Sequence, residues 1–391
     1  MKPSRPRPYT ALALAGLGLF VCASAGCAAR EAPAAETRAR NVAVAEARSP
    51  EARRVGGPDG RPLGLLRELD AAFPLYELHL EAPYGIDELL VAAGEGASGE
   101  GGSGGRGASA AGRPEPHDAE AGSPGKAEDQ PFACSCFSAS LPEGGRIFGR
   151  NFDWRRDPAL VLFARPKGAY ASVSMVDIAY LGYSASKTPL DDPAALARAW
   201  RLPFDGMNEK GLGVGMMAVD HAEGSRGQGR PRIGELGLIR VLLDRAASVA
   251  EALSLMEGYD VELEDPPIHY FLADRSGDAA VVEYLGGRPR VFRSGKRWQL
   301  ATNFLLAEVP EEGRGAACWR YARAAARLEA AGGTLSAAEA MDLLGEVSQP
   351  STRWSAVYDL GSGALELALG RDYGRTLRLS LSGGPPAAAA P

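Results

Sequence analysis

Cys134-Ser135-Cys136-Phe137-Ser138-Ala139-Ser140, then Leu141-Pro142-Glu143-Gly144, then Arg146-Ile147-Phe148-Gly149-Arg150-Asn151-Phe152-Asp153-Trp154 is the stretch whose reading decides the chain. Two short runs flanking turn residues predict a hairpin around Pro142-Glu143-Gly144. A two-residue turn at Pro142-Glu143 pairs Leu141 with Gly144 and sets Cys134 opposite Asn151, beside Arg150. Directly opposed strand residues lie about 4.5–5.5 Å apart in Cα. A guanidinium that close to a thiol favours the thiolate. Three readings of the Cys-x-Cys remain open at this point. Two small apolar residues in a strand is one. A redox pair is another, although residues i and i+2 of a strand lie about 6.6–6.8 Å apart, at the long end of disulfide geometry. A reactive Cys134 is the third. For Arg150 and Asp153 the plain alternative is a surface ion pair.

Outward from the hairpin, strands and helices alternate irregularly. Leu160–Arg165, Ala171–Ile178 and Leu212–Val219 read as strands. Leu236, Ile239, Leu242, Leu243 and Ala246 recur at helical spacing. Ser248 and Ser336, each with Glu three residues on, read as capping boxes. His269–Ala273 and Ala279–Tyr284 flank a Ser276-Gly277 turn, a second hairpin. Tyr321–Ala331 is helical, and Trp354–Asp359, Leu365–Leu369 and Thr376–Leu381 form a closing meander. Strands, then helices, then strands predict an α+β layered fold. Upstream, Leu63 to Leu80 carries a modest helical pattern.

The hairpin residues Cys134-Ser135-Cys136-Phe137 and Phe148-Gly149-Arg150-Asn151-Phe152-Asp153-Trp154 resemble the choloylglycine hydrolase-like and peptidase C45-like N-terminal nucleophile hydrolases. That group holds bile salt hydrolases, penicillin V acylase, N-acylethanolamine acid amidase and acid ceramidase. Further stretches agree in order: Asp205-Gly206-Met207-Asn208-Glu209-Lys210-Gly211-Leu212, His269-Tyr270 with Asp274 and Gly277, Thr302-Asn303, and Trp319-Arg320-Tyr321 with Thr352-Arg353-Trp354-Ser355. The resemblance covers residues 131–382 and implies a four-layer αββα sandwich. It also implies roles. Cys134 would be the nucleophile and, through a freed α-amine, its own base. Arg150 would stabilise the thiolate, Asp153 would hold the amine, Asn303 would help bind the oxyanion, and Arg320 would brace the site. Bile salt hydrolases carry an oxyanion Asn ten residues after the Asn of Asn-Glu-Lys-Gly. Here that position is Ala218, which counts against a bile-salt substrate.

Other features receive blander readings. Arg323 and Arg327 beside Arg320 allow a solvated basic stripe. Asn208 shapes a turn. Gly211-Leu212-Gly213-Val214-Gly215 lacks the full nucleotide fingerprint. Glu283 and Glu366 read as solvated strand positions, and Cys318 as a small buried residue.

The chain has 391 residues, net charge −6 and five cysteines. That balance argues against a nucleic-acid binder, and the cysteine count against a disulfide scaffold. Residues 1–26 read as an export signal: Lys2, Arg5 and Arg7, then the uncharged run Ala11–Val21, too short to span a bilayer. Ala23-Ser24-Ala25 offers an ordinary cleavage site. Ser24-Ala25-Gly26-Cys27 offers a lipobox with Cys27 as the lipid-bearing residue, although Ser24 replaces the usual Leu. Residues 27–91 read as tether and pro-segment, 131–382 as the hydrolase domain, and 383–391 as a disordered tail. Of the 39 residues 92–130, 20 are Gly or Ala and none is aromatic, Leu, Ile or Val. Such a stretch buries too little apolar surface to offset its ordering entropy and reads as a disordered linker.

The expected protein is an exported hydrolase of the C–N bond of a small N-acyl amide. It works through an acyl-enzyme on Cys134, with no cofactor or metal and no nucleic-acid partner, and meets the membrane through a lipid anchor only. Cleavage at Ala133–Cys134 would free the α-amine. An acyltransferase of the same family is one alternative and a non-catalytic envelope binding lipoprotein another. Oligomeric state is not readable from the chain.

Overall fold

The computed structural model describes residues 43–44, 51–91, 133–154, 158–225 and 227–386. The signal 1–26, Cys27, the stretch 92–130 and residues 387–391 lie outside the described residues. Two large sheets face each other. The first has seven strands among the described residues, in the order 43–44, 375–380, 364–369, 352–359, 146–153, 135–140 and 299–301. The second has ten, in the order 288–292, 279–285, 268–274, 212–218, 205–208, 172–177, 159–164, 75–80, 62–70 and 53–56. Helices Trp319–Ala330 and Ala337–Glu346 pack on the first sheet, and Glu235–Arg245 and Val249–Met256 on the second. The layers are therefore helix, sheet, sheet, helix, the expected αββα order. Ser336 caps its helix with a complete capping box closed by Glu339.

Between the sheets the packing is close enough to dictate sequence. A Cβ placed on Gly215 would lie 2.8 Å from Phe148 Cζ, 3.3 Å from Cys136 Sγ and 3.5 Å from Arg150 Nη1. One on Gly213 would lie 3.1 Å from Phe148 and Leu360. The glycine repeat at 211–215 thus lets the second sheet approach the Cys134 hairpin, a use of strand glycine unrelated to nucleotides.

The segment before residue 92 corrects the sequence reading. Leu63 to Leu80 is two antiparallel strands, Pro62–Asp70 and Leu75–Leu80, not a helix. Leu75–Leu80 runs parallel to Ala159–Ala164 and prolongs the second sheet. All six of its residues are buried, Glu77 and His79 included, so the alternation of polar and apolar residues here does not mark a solvated face. Leu63, Leu66 and Leu69 fall at helical spacing by chance of register. Gly64 is where the strands press together: a Cβ there would lie 2.1 Å from His79 O. Further on, Tyr84 stacks on Trp200 at 4.4 Å and donates from its hydroxyl to Asp244 Oδ1 at 3.1 Å.

Candidate active site

The hairpin forms as Ser135–Ser140 and Arg146–Asp153, but one residue out of the expected register. Leu141 N donates to Gly145 O at 3.2 Å and Gly144 N to Leu141 O at 3.1 Å, so the loop takes in Gly145 as well. Gly144 and Gly145 both have positive φ, 94° and 99°. Two successive glycines make that conformation accessible, and a Pro-Glu turn did not anticipate it. Ser135 then pairs with Asn151, and Cys136 with Arg150. A one-residue slip exchanges faces. Cys134, Cys136 and Arg150 now share the face that meets the second sheet.

Arg150 is fully buried. Its Nη2 lies 3.9 Å from Cys134 Sγ and its Nη1 3.4 Å from Cys136 Sγ. Nε pairs with Asp205 Oδ2 at 2.7 Å, and Nη1 also donates to Met216 O. Asp205 in turn accepts from Trp354 Nε1 at 3.1 Å and from the Tyr358 hydroxyl. Burial pushes the Cys134 thiol up, opposed by the charge of Arg150; the Asp153 carboxylate pushes it up further, while the Asp153 backbone N–H favours the thiolate. The Cys136 thiol is pushed up to about 12, chiefly by burial. Of the two cysteines, Cys134 is the one whose backbone Asn303 and Arg320 hold.

Asn303 Oδ1 accepts from Cys134 N at 2.6 Å and from Arg320 Nη2 at 2.9 Å. Asn303 Nδ2 donates to Ala218 O at 2.8 Å. Arg320 Nη1 donates to Cys134 O and, at 3.0 Å, to Ser135 Oγ. Arg320 is buried, while Arg323 and Arg327 pair with Glu346 at 2.8 and 3.9 Å, so the three arginines do not form one solvated stripe. Asp153 is buried, with its carboxyl accepting from Thr352 Oγ1 and, at 3.2 Å, from Gln349 Nε2. Burial lifts its pKa to about 6 against these bonds and the charges of Arg320 and Arg150. The structure thus brings Cys134, Arg150, Asp153, Asn303 and Arg320 into one cluster. It sets the oxygen of Asn303, not its amide nitrogen, against Cys134 N.

Several members of the cluster escaped the sequence reading. Asp205, Gln349 and Thr352 hold Arg150 and Asp153, yet Asp205 and Thr352 were visible only as parts of longer motifs. Glu283, read as solvated, is fully buried. Its signal was an acidic residue inside an apolar strand, Ala279-Ala280-Val281-Val282-Glu283-Tyr284-Leu285. Glu366 does face outward enough to pair across the strand with Arg378 at 2.8 Å. Asn208 shapes its turn as read, accepting from Lys210 N and Leu212 N at 3.0 and 3.1 Å.

The site is therefore a cysteine at the start of a strand between two sheets, its sulfur beside an arginine and its backbone held by an asparagine and a second arginine. Residues 134–303 match the family of linear amide C–N hydrolases, choloylglycine hydrolase family. Penicillin V acylase of Pectobacterium atrosepticum is 28% identical over 174 residues, 40% of this chain and 45% of that protein. The match therefore spans less than half of that relative's length. Among solved structures, a mutant of conjugated bile acid hydrolase from Clostridium perfringens is similar with TM-score 0.48 and 16% identity, covering 66% of this chain and 96% of that one. Penicillin V acylase from Agrobacterium tumefaciens is similar with TM-score 0.44 and 20% identity, covering 60% and 83%.

Proposed function

We propose that the protein hydrolyses the C–N bond of a small N-acyl amide through an acyl-enzyme on Cys134, after the Ala133–Cys134 bond is cut. The observation that carries this is the grip on Cys134: sulfur beside Arg150, backbone nitrogen on Asn303 Oδ1, backbone oxygen on Arg320. In the uncut chain Ala133 and Cys134 are only 2% and 3% exposed, so cutting both frees the amine and opens the thiol. The Cys134 sulfur attacks the Ala133 carbonyl and its proton passes to the departing nitrogen. Water then hydrolyses the thioester, leaving an Ala133 carboxylate and a Cys134 α-amine.

An α-amine has a reference pKa near 7.7–8.0, suited to taking the thiol proton near neutral pH. Asn303 Oδ1 is in place to hold that amine, with Asp153 supplying negative charge nearby. Asn303 Nδ2 has a second N–H beyond the one given to Ala218 O, a donor for the oxyanion that forms when sulfur adds to the substrate carbonyl. Arg150 stabilises the thiolate.

Export with a lipid on Cys27 completes the proposal, supported by the short charged-then-apolar N-terminus. Radiolabelled palmitate is expected in the wild type and absent from Cys27→Ser. For the activity, purified protein is assayed for amine release from a panel of N-acyl amides. Penicillin V and conjugated bile acids, the compounds in the relatives' names, are included. The N-terminus of the active chain is sequenced. Release of amine by a chain beginning at Cys134 is the expected result. A fully active uncut chain overturns the α-amine mechanism, and transfer of the acyl group to an added amine in place of water reassigns the reaction to an acyltransferase.

A further inference from the structure

We infer that Glu283, with His269, is a positioning residue that shapes the loop bearing Asn303. The two sit side by side on neighbouring strands of the second sheet, one step beyond the Tyr270–Val282 pair, and both are fully buried. Glu283 Oε1 accepts from Leu306 N at 2.6 Å and Oε2 from Ala307 N at 3.0 Å. His269 Nδ1 lies 3.2 Å from Glu283 Oε1, and His269 Nε2 2.8 Å from Thr302 O. One buried carboxylate and one ring therefore hold both ends of the loop 302–307. That loop leaves the edge strand Gln299–Ala301 of the first sheet, so the pair ties one sheet to the other where the cluster assembles.

The consequence falls on one residue. Asn303 follows the tethered carbonyl of Thr302 and precedes the tethered amides of Leu306 and Ala307. Its side chain must meet Cys134 N, Arg320 and Ala218 O together, which requires a backbone held to within a fraction of an ångström. A free loop would satisfy the same backbone groups with water. A buried carboxylate bound to two adjacent amides defines one loop path, much as bonds behind a metal ligand orient it. Neither Glu283 nor His269 touches Cys134, so the effect passes through Asn303.

The inference rests on the amide hydrolase reading for its kinetic arm only. Glu283→Gln keeps the size of the side chain but replaces one acceptor oxygen with an NH2 group. Hydrogen exchange in the peptide spanning 302–307 is expected to quicken at least tenfold, with the strand Ser135–Ser140 unchanged. Amide turnover is expected to lose at least tenfold in kcat, with KM within threefold, while Cys134 alkylation by iodoacetamide stays within threefold of wild type. In a double-mutant cycle, Glu283→Gln added to Asn303→Ala is expected to cost less than a further threefold, because both act through one side chain. Unchanged exchange in the loop overturns the inference whether or not any amide is cleaved. A wild type inert towards amides sinks the functional reading alone, and multiplicative losses in the cycle sink the route through Asn303. Should Glu283→Gln fail to fold, His269→Gln, which cuts only the Thr302 tether, carries the same test at Thr302–Asn303.

Discussion

The strands before residue 92 and the hairpin after residue 133 are both built into the sandwich, by opposite means. The first group is held by apolar packing: Leu63, Leu66, Tyr76 and Leu78 lie against Leu160, Leu162 and Val176. Of its two buried carboxylates, Glu77 is answered locally by Arg67 and His79, and Asp70 by Arg375 of the closing strand. The second group buries charge outright. Arg150, Asn151 and Asp153 are all fully buried, and their partners come from five other segments. Asn151, for instance, donates to Leu344 O at 2.8 Å and accepts from Ser355 Oγ at 2.6 Å. Apolar area is additive and non-directional, so the first region can tolerate loss piece by piece. A buried polar web must be satisfied as a whole, so the second cannot. One region fastens the chain to the body and the other holds the residues proposed for catalysis.

The largest expected effect breaks the chemical half without touching the fastening half. Cys134→Ala is expected to lose roughly a thousandfold or more in amide turnover, as loss of a nucleophile does elsewhere. It is also expected to accumulate uncut, while Cys136→Ala and Cys318→Ala keep most activity; intact mass and amine release read both. Normal cutting of Cys134→Ala would show that another protease matures the chain. Next, Arg150→Ala strands Asp205 as an unpaired buried carboxylate, a loss of about 3–5 kcal/mol. Denaturant unfolding measures it, and a change below 1 kcal/mol would mean that Asp205 is not ionised when paired.

The fastening half is tested by Leu78→Ala, at a fully buried position. The expected cost is about 2–5 kcal/mol. After cleavage at Ala133–Cys134, the wild-type N-terminal piece is expected to co-elute with the body in gel filtration, and the Leu78→Ala piece to separate from it. Separation of the wild-type piece would show that covalent continuity, not packing, holds these strands.

The smallest effect is a pH dependence. Asp153 has its pKa raised by burial from 3.8 to about 6. A raised carboxyl pKa favours folding while protonated, so that contribution is complete below about 3.8 and disappears as pH climbs through about 6. Activity runs the other way: the carboxylate is the useful form, so kcat/KM is expected to fall as pH drops below about 6. Asp153→Asn is expected to flatten the stability change between pH 4 and 6 and to lose that activity limb. An unchanged acid limb in Asp153→Asn would assign it to a different group.

Much of the body was legible from local patterns. Helix 235–245 showed its apolar spacing, Ser336 its capping box, and 268–285 its hairpin turn. Cys134, Arg150, Asp153, Asn303 and Arg320 were reachable because short motifs surround them. Glu283 and Asp205 were not, because the same acidic residue in a strand faces water or a buried partner depending on what packs over it. The strands 62–80 were misread for a different reason: Leu63, Leu66 and Leu69 mimic a helical period, and the alternation of Tyr76, Leu78 and Leu80 with Glu77 and His79 is short.

What the sequence by itself determined about this protein is therefore local: turns, caps, helix periods and the order of the motifs, all set by residues within a few positions of one another. Only the tertiary structure decided the hairpin register, the use of the glycine repeat, the seat of the N-terminal strands and the burial of Glu283. Each depends on a contact across the sandwich with residues far along the chain. Burial by a distant strand leaves no mark on the neighbouring sequence, although it changes a solvated carboxylate into a fixed anchor.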